Sequence, residues 1–244
     1  MRRLALHSAL MLVLAGCTRV VYEPPYHFTS AASNELVTDH LTDLSRTERV
    51  MSRAATGDTD VRESASARVD ERVVVDRPGP RILRVVIGHD SVGDYYDSLL
   101  VRRSDLTPIR EHLAYPESHV DKHFEYYGTR VHQTNVIDGS TRAFDAEYTL
   151  PPYALNELEL IIRSLPFHPY YTAVMPLYSE ANDKLEIDSV YVINDQPGRR
   201  WTVRFADPAN VVIYGIDAST HSILSVDATS RKTKEHAHKL LGPS

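Results

Sequence analysis

From about residue 81 onward, apolar and polar residues alternate in short runs rich in Val, Ile, Tyr and Thr, each closed by a turn signal. This period of two predicts strands over 81–88, 95–103, 107–115, 119–127, 130–137, 142–150, 170–178, 184–193, 200–205, 211–216 and 222–228. Asp138-Gly139 stands between two of these runs and signals a tight hairpin. Gly128-Thr129 and the 194–198 stretch read as turns on the same grounds. The pattern breaks once. Pro151-Pro152 followed by Leu155, Leu158, Ile161, Ile162 and Leu165 predicts a short helix, with proline in its first turn and Pro166 beyond its end. Strands joined by such short links pair antiparallel, because parallel pairing needs crossover connections. The expected fold is mainly β, a large curved antiparallel sheet forming a half-barrel or incomplete barrel, with one or two helices packed on one face.

Upstream the pattern changes. Over 33–55, Leu36, Val37, Leu41, Leu44, Val50 and Met51 fall largely on one helical stripe, with Ser33 as N-cap and Gly57 as stop. Residues 58–72 are charged and poor in apolar side chains, which predicts a linker or a marginal helix. The division expected is a helix and charged linker over 33–80, an antiparallel β domain over 81–230, and a basic tail over 231–244 that carries His236 and His238.

The N-terminus has a separate logic. Met-Arg-Arg is followed by an apolar run from Leu4 to Gly16, broken by His7 and Ser8, and then by Cys17, the one cysteine in the chain. A positive start and a short hydrophobic run mark a secretory signal, too short for a spanning helix. Leu14-Ala15-Gly16-Cys17 resembles the lipobox of bacterial lipoproteins. The resemblance implies removal of residues 1–16, acylation of Cys17 and a lipid-anchored tether over 17–32. Thr18 stands where inner-membrane lipoproteins of many enteric bacteria carry aspartate, so it also implies the outer membrane, facing the periplasm. Two or more acyl chains anchor stably where one is marginal.

The chain has 244 residues, 42% hydrophobic and 25% charged, with a net charge of −6. That acidic balance, with Lys and Arg scattered, argues against nucleic acid, which needs a clustered basic footprint. A single cysteine that the lipobox uses leaves no disulfide and no thiol catalysis. No Gly-x-Ser-x-Gly elbow and no phosphate-cradling glycine loop is present, and no cofactor motif appears. The reading is therefore non-enzymatic. One cluster has metal-ligand character: His119, Asp121 and His123 alternate on one face of a predicted strand, with Glu125 beyond them. It supports an alternative, a metal-dependent hydrolase centred on His119 and His123. Fourteen tyrosines against five phenylalanines form a skewed ratio. A phenol offers an apolar face and a polar handle, suited to amphiphilic or polymeric ligands.

Within the β region, the 98–110 segment Ser-Leu-Leu-Val-Arg-Arg-Ser-Asp-Leu-Thr-Pro-Ile-Arg resembles the opening strand of bacterial envelope proteins grouped as domain-of-unknown-function family 3108. The 160–167 segment ending Leu165-Pro166-Phe167 is similar to that family's helix end, Trp201-Thr202-Val203 to an inner strand, and Ile216-Asp217 through Leu224 to its closing strand. The chain departs from the family pattern at Pro169, at Tyr214 with Gly215 beside it, and at His221. The resemblance covers about residues 81–230 and implies a curved antiparallel sheet, in outline like lipoprotein carriers of the Lol system. With Tyr126, Tyr170, Trp201 and Tyr214 as candidate contacts, the expected function is binding of a lipid, glycan or protein ligand on that sheet. A purely structural adaptor is the other alternative.

Overall fold

The computed structural model describes residues 27–29, 35–53, 61–180, 183–196, 198–207, 209–231 and 236–243. Cys17, the predicted signal and Ser33 lie outside them, as does the predicted tether apart from 27–29. Among the described residues sixteen strands join one sheet. In chain order they are β1 (His27–Phe28), β2 (Leu44–Arg53), β3 (Arg62–Asp76), β4 (Gly79–His89), β5 (Asp94–Arg102), β6 (Pro108–Tyr115), β7 (Val120–Tyr127) and β8 (Arg130–Ile137). Then follow β9 (Ser140–Glu147), β10 (Tyr153–Ala154), β11 (Thr172–Ser179), β12 (Lys184–Gln196), β13 (Arg200–Ala206), β14 (Asn210–Asp217), β15 (Ile223–Ser230) and β16 (His236–Pro243). A 3-10 turn, Leu155–Glu157, leads into the helix α1 (Leu158–Ser164).

The strand order is β1-β11-β12-β13-β14-β15-β16-β2-β3-β4-β5-β6-β7-β8-β9, with β10 beside β11 off this path. Two antiparallel meanders, β2 to β9 and β11 to β16, are thus sewn together where β16 pairs antiparallel with β2. Short β1 and β10 add to β11 in parallel. The sheet is curved and open, as the alternation predicts, and does not close into a barrel. Asp138 and Gly139 both take positive φ, 49° and 76°, the primed-turn geometry that joins β8 to β9 with the right twist.

The curve wraps around α1. Leu160, Ile161, Ile162 and Leu165 are fully buried against Ile82, Leu99, Val101, Phe124, Val131, Met175, Val190 and Val203 from both meanders. Seven residues are too few for a stable isolated helix, so this one is held by its surroundings. Pro166 ends it by denying a further helical N–H.

Three sequence expectations are corrected here. The predicted helix over 33–55 is, where described, an irregular segment followed by strand β2. Leu36 and Leu41 still reach the core, from a stretch tied down by Val37 N–H donating to the Ser164 carbonyl at 2.8 Å. The charged linker over 58–72 is largely β3, and the basic tail over 231–244 contains β16. The physical reason is shared: these strands point charge inward. Arg46 and Glu48 of β2, Glu71 of β3 and Lys239 of β16 face α1 and pair there, so their strands lack the apolar alternation by which strands are recognised. The β domain therefore begins well before residue 81 and extends past 230.

Candidate functional site

The inner face of the curved sheet is filled. It holds α1 and two groups of buried ionisable side chains. In the first, Glu159 of α1 receives Lys239 Nζ at 2.7 Å and Arg84 Nη2 at 3.3 Å, and pairs with Arg46. Arg163 of α1 donates to Glu71 at 2.6 Å, and Lys239 also reaches Glu48 at 2.7 Å. Burial alone would raise the Glu159 carboxyl, but Lys239, Arg46 and Arg84 outweigh it and hold it well below the usual carboxylate range. The helix is clamped to β2, β3, β4 and β16 by charge.

In the second group, Asp97, Glu111, Glu157 and Glu180 are buried together around the 3-10 turn. Glu111 shares a hydrogen bond with Glu180 and accepts from Asn156 Nδ2 at 2.6 Å and Tyr126 Oη at 3.0 Å. Glu157 accepts the Ala154 N–H at 2.8 Å, and Glu180 accepts that of Leu155 at 3.0 Å. Burial, reinforced by neighbouring carboxylates, pushes Asp97, Glu111 and Glu157 well above their ordinary range and Glu180 up to about 8. Burial thus favours the protonated form of these acids, and Glu157 and Glu180 satisfy two N–H groups of the loop backbone. A face filled this way leaves the charged clamp where a carrier would need apolar surface for acyl chains.

The four candidate contact residues are not brought together. Tyr126 is buried (7% exposed) and spends its hydroxyl on Glu111. Tyr214 is also buried, and burial, aided by Glu159, drives its phenol far above the ordinary range. Trp201 is half-buried and stacks on Phe167 with ring centres 5.9 Å apart. Tyr170 stands 71% exposed in a left-handed backbone conformation (φ 64°) just before β11. Tyr126 and Tyr214 are thus core residues, and of the four Tyr126 alone borders the larger cavity described below, beside Tyr127.

The outer face carries the open sites. Along β6 and β7, strict alternation puts Arg110 and His112 on this face opposite Glu125 and His123. A cavity of about 340 Å³ runs over Ser98, Leu100, Arg110, His112, His123 and Glu125. It shares Arg110 and Glu125 with a larger one, about 800 Å³, at the end of the strands. There the Pro78-Gly79-Pro80 turn, Pro108, Pro151 and Tyr127 supply apolar walls, and Arg81, Arg102 and Arg110 supply three guanidinium groups. Arg102 donates to Asp105 at 2.9 Å, while Arg110 is exposed.

Asp121 and His123 share the outer face, as the alternation predicts. Their third neighbour is His112, and the Nε2 atoms of both histidines lie 3.0 and 2.9 Å from Asp121 Oδ1. His119 is not with them. It sits before β7 in a left-handed conformation (φ 50°) that ends the Pro116–Ser118 turn, exposed to solvent. A residue in that turn leaves the strand's alternation, so counting by twos from 119 fails by structure. His112 was legible only through pairing: it and His123 stand equally far from the centre of one hairpin. Arg81, Arg102 and Arg110 gave no sequence signal, being gathered from three strands, β4, β5 and β6.

A scan against models of protein families, a search of curated proteins and a search of solved structures find no match to this chain.

Proposed function

We propose that this chain is a non-catalytic lipoprotein of the bacterial envelope that binds an anionic amphiphilic ligand on the outer face of its curved sheet. The observation that carries this reading is the groove of about 800 Å³ with three arginines above proline and tyrosine walls. Guanidinium groups match phosphate and carboxylate oxygens in pairs of hydrogen bonds, and the apolar walls suit the non-polar portion of such a ligand. The lipobox-like Leu14–Cys17 supports the envelope and the outer membrane, with Cys17 as the anchor. The filled inner face favours one competing reading, a structural adaptor with no ligand.

Calorimetric titration with a soluble short-chain phosphatidylglycerol, against the matching phosphatidylcholine, separates the two. Saturable binding of the anionic lipid alone is expected, weakened about tenfold or more by Arg110→Glu, since a charge-assisted contact is worth roughly 1.5–3 kcal/mol. Equal binding of both lipids, indifference to Arg110→Glu, or no binding at all overturns the groove assignment, and the last favours the adaptor.

A further inference from the structure

We infer that His112, His123 and Asp121 form a binding site for one divalent transition-metal ion of zinc's class on the outer face of the sheet. The inference does not rest on the ligand groove above.

The backbone sets up the pair. His112 of β6 lies directly opposite His123 of β7, and residues so opposed carry their Cβ atoms about 4.5–5.5 Å apart. The two rings stack in near-parallel planes, 12° apart, with centres 4.2 Å from each other. Asp121, two residues before His123 on the same face, closes the triangle. All three potential ligand atoms lie within 4.8 Å of one another.

The arrangement differs from the ordinary histidine–carboxylate pairs on this sheet. His89–Asp94, His132–Asp145 and His238–Asp227 each set one ring against one directly opposed carboxylate, at 2.8, 3.0 and 2.7 Å. At Asp121 two Nε2 atoms converge on a single oxygen, a focus that one pair does not produce. Tetrahedral zinc bonds imidazole nitrogen at about 2.0–2.1 Å, which places two such nitrogens about 3.3 Å apart. The candidate ligand atoms lie within 4.8 Å of one another, and both rings turn about χ2 out of their stack to aim the two nitrogens at one ion. A small rotation of Asp121, half exposed and hinged on a free χ1, makes room for the ion.

Donor type narrows the metal. Two imidazoles and a carboxylate suit Zn²⁺, Co²⁺ or Cu²⁺, whereas Mg²⁺ and Ca²⁺ prefer all-oxygen sets. Among the described residues three side chains converge, a third to a half exposed, so water completes the coordination from the adjoining cavity.

The chain purified in detergent, stripped with EDTA, is titrated with Co²⁺ by visible absorption and with Zn²⁺ by competition. One equivalent with a tetrahedral or five-coordinate cobalt spectrum is expected, and Zn²⁺ should raise the unfolding midpoint. His112→Ala and His123→Asn should each weaken binding tenfold or more, while His119→Ala and His132→Ala leave it unchanged. All four side chains are at least partly solvent-exposed, and metal-free melting curves check that each variant folds. A loss of folding in His112→Ala leaves His123→Asn to decide. No cobalt band at 100-fold metal excess, or binding that survives both substitutions, overturns the site.

Discussion

Single residues in this protein derive their properties from the face on which alternation leaves them. Asp188 shows it most simply. It lies on the inner face of β12, opposite Met175, and neither carboxylate oxygen finds a hydrogen-bond partner among the described residues. Burial, with smaller contributions from the charges of Asp207 and Glu186, pushes its carboxyl up to about 7. The folded state thus holds a proton that the unfolded chain releases near pH 4, and stability falls as pH rises through that interval. Asp188→Asn removes the titration. Urea unfolding of both proteins from pH 4 to 8 should show the variant gaining on the wild type by roughly 3–4 kcal/mol as pH rises. A difference that stays constant across the range refutes the assignment. The Asp217 carboxylate has the opposite fate: its hydrogen bonds from the Ser219 and Thr220 hydroxyls and N–H groups hold it well below the ordinary range in an exposed turn.

Among elements, α1 and the strands that flank it depend on one another. The helix buries its apolar side chains in the curve and closes four cations on three carboxylates at its base: Arg46, Arg84, Arg163 and Lys239 against Glu48, Glu71 and Glu159. Buried pairs of this kind add little against a hydrophobic replacement, yet removing one partner strands the others. Glu159→Gln leaves Arg46, Arg84 and Lys239 facing a neutral amide. It should cost about 3–5 kcal/mol in chemical denaturation, an order of magnitude more than removal of an exposed pair such as Arg68–Asp70. Comparable losses for the two would show that the clamp is solvated. The clamp also explains which elements were legible. β4 to β9 and β11 to β15 were visible from alternation and turn residues, and α1 from its prolines and leucine spacing. β2, β3 and β16 were not, because charged residues displace apolar ones at their inner positions, whereas β4 keeps Ile82 and Val86 on either side of Arg84.

At the scale of the whole molecule, β16 against β2 sews the late meander to the early one, so chain segments about 190 residues apart become neighbours. Beyond the described residues, the lipobox-like Leu14–Cys17 carries its own prediction. Cys17→Ser should abolish incorporation of radiolabelled palmitate and leave the signal uncleaved, with the mutant held to the membrane by that signal alone. Label in the mutant, or none in the wild type, would make this an ordinary exported protein.

By itself the sequence determined the class of fold, most strand positions and the short helix, because period-two alternation, Asp-Gly turns and proline stops act within a few residues. It also brought out Asp121 and His123 on one face. Only the tertiary structure decided that Tyr126 and Tyr214 are core, that the inner face is filled with charge, and that His112 replaces His119 beside Asp121. Each of these depends on strand register and on contacts between distant segments. A local pattern fixes which way a side chain points, but not what waits opposite it.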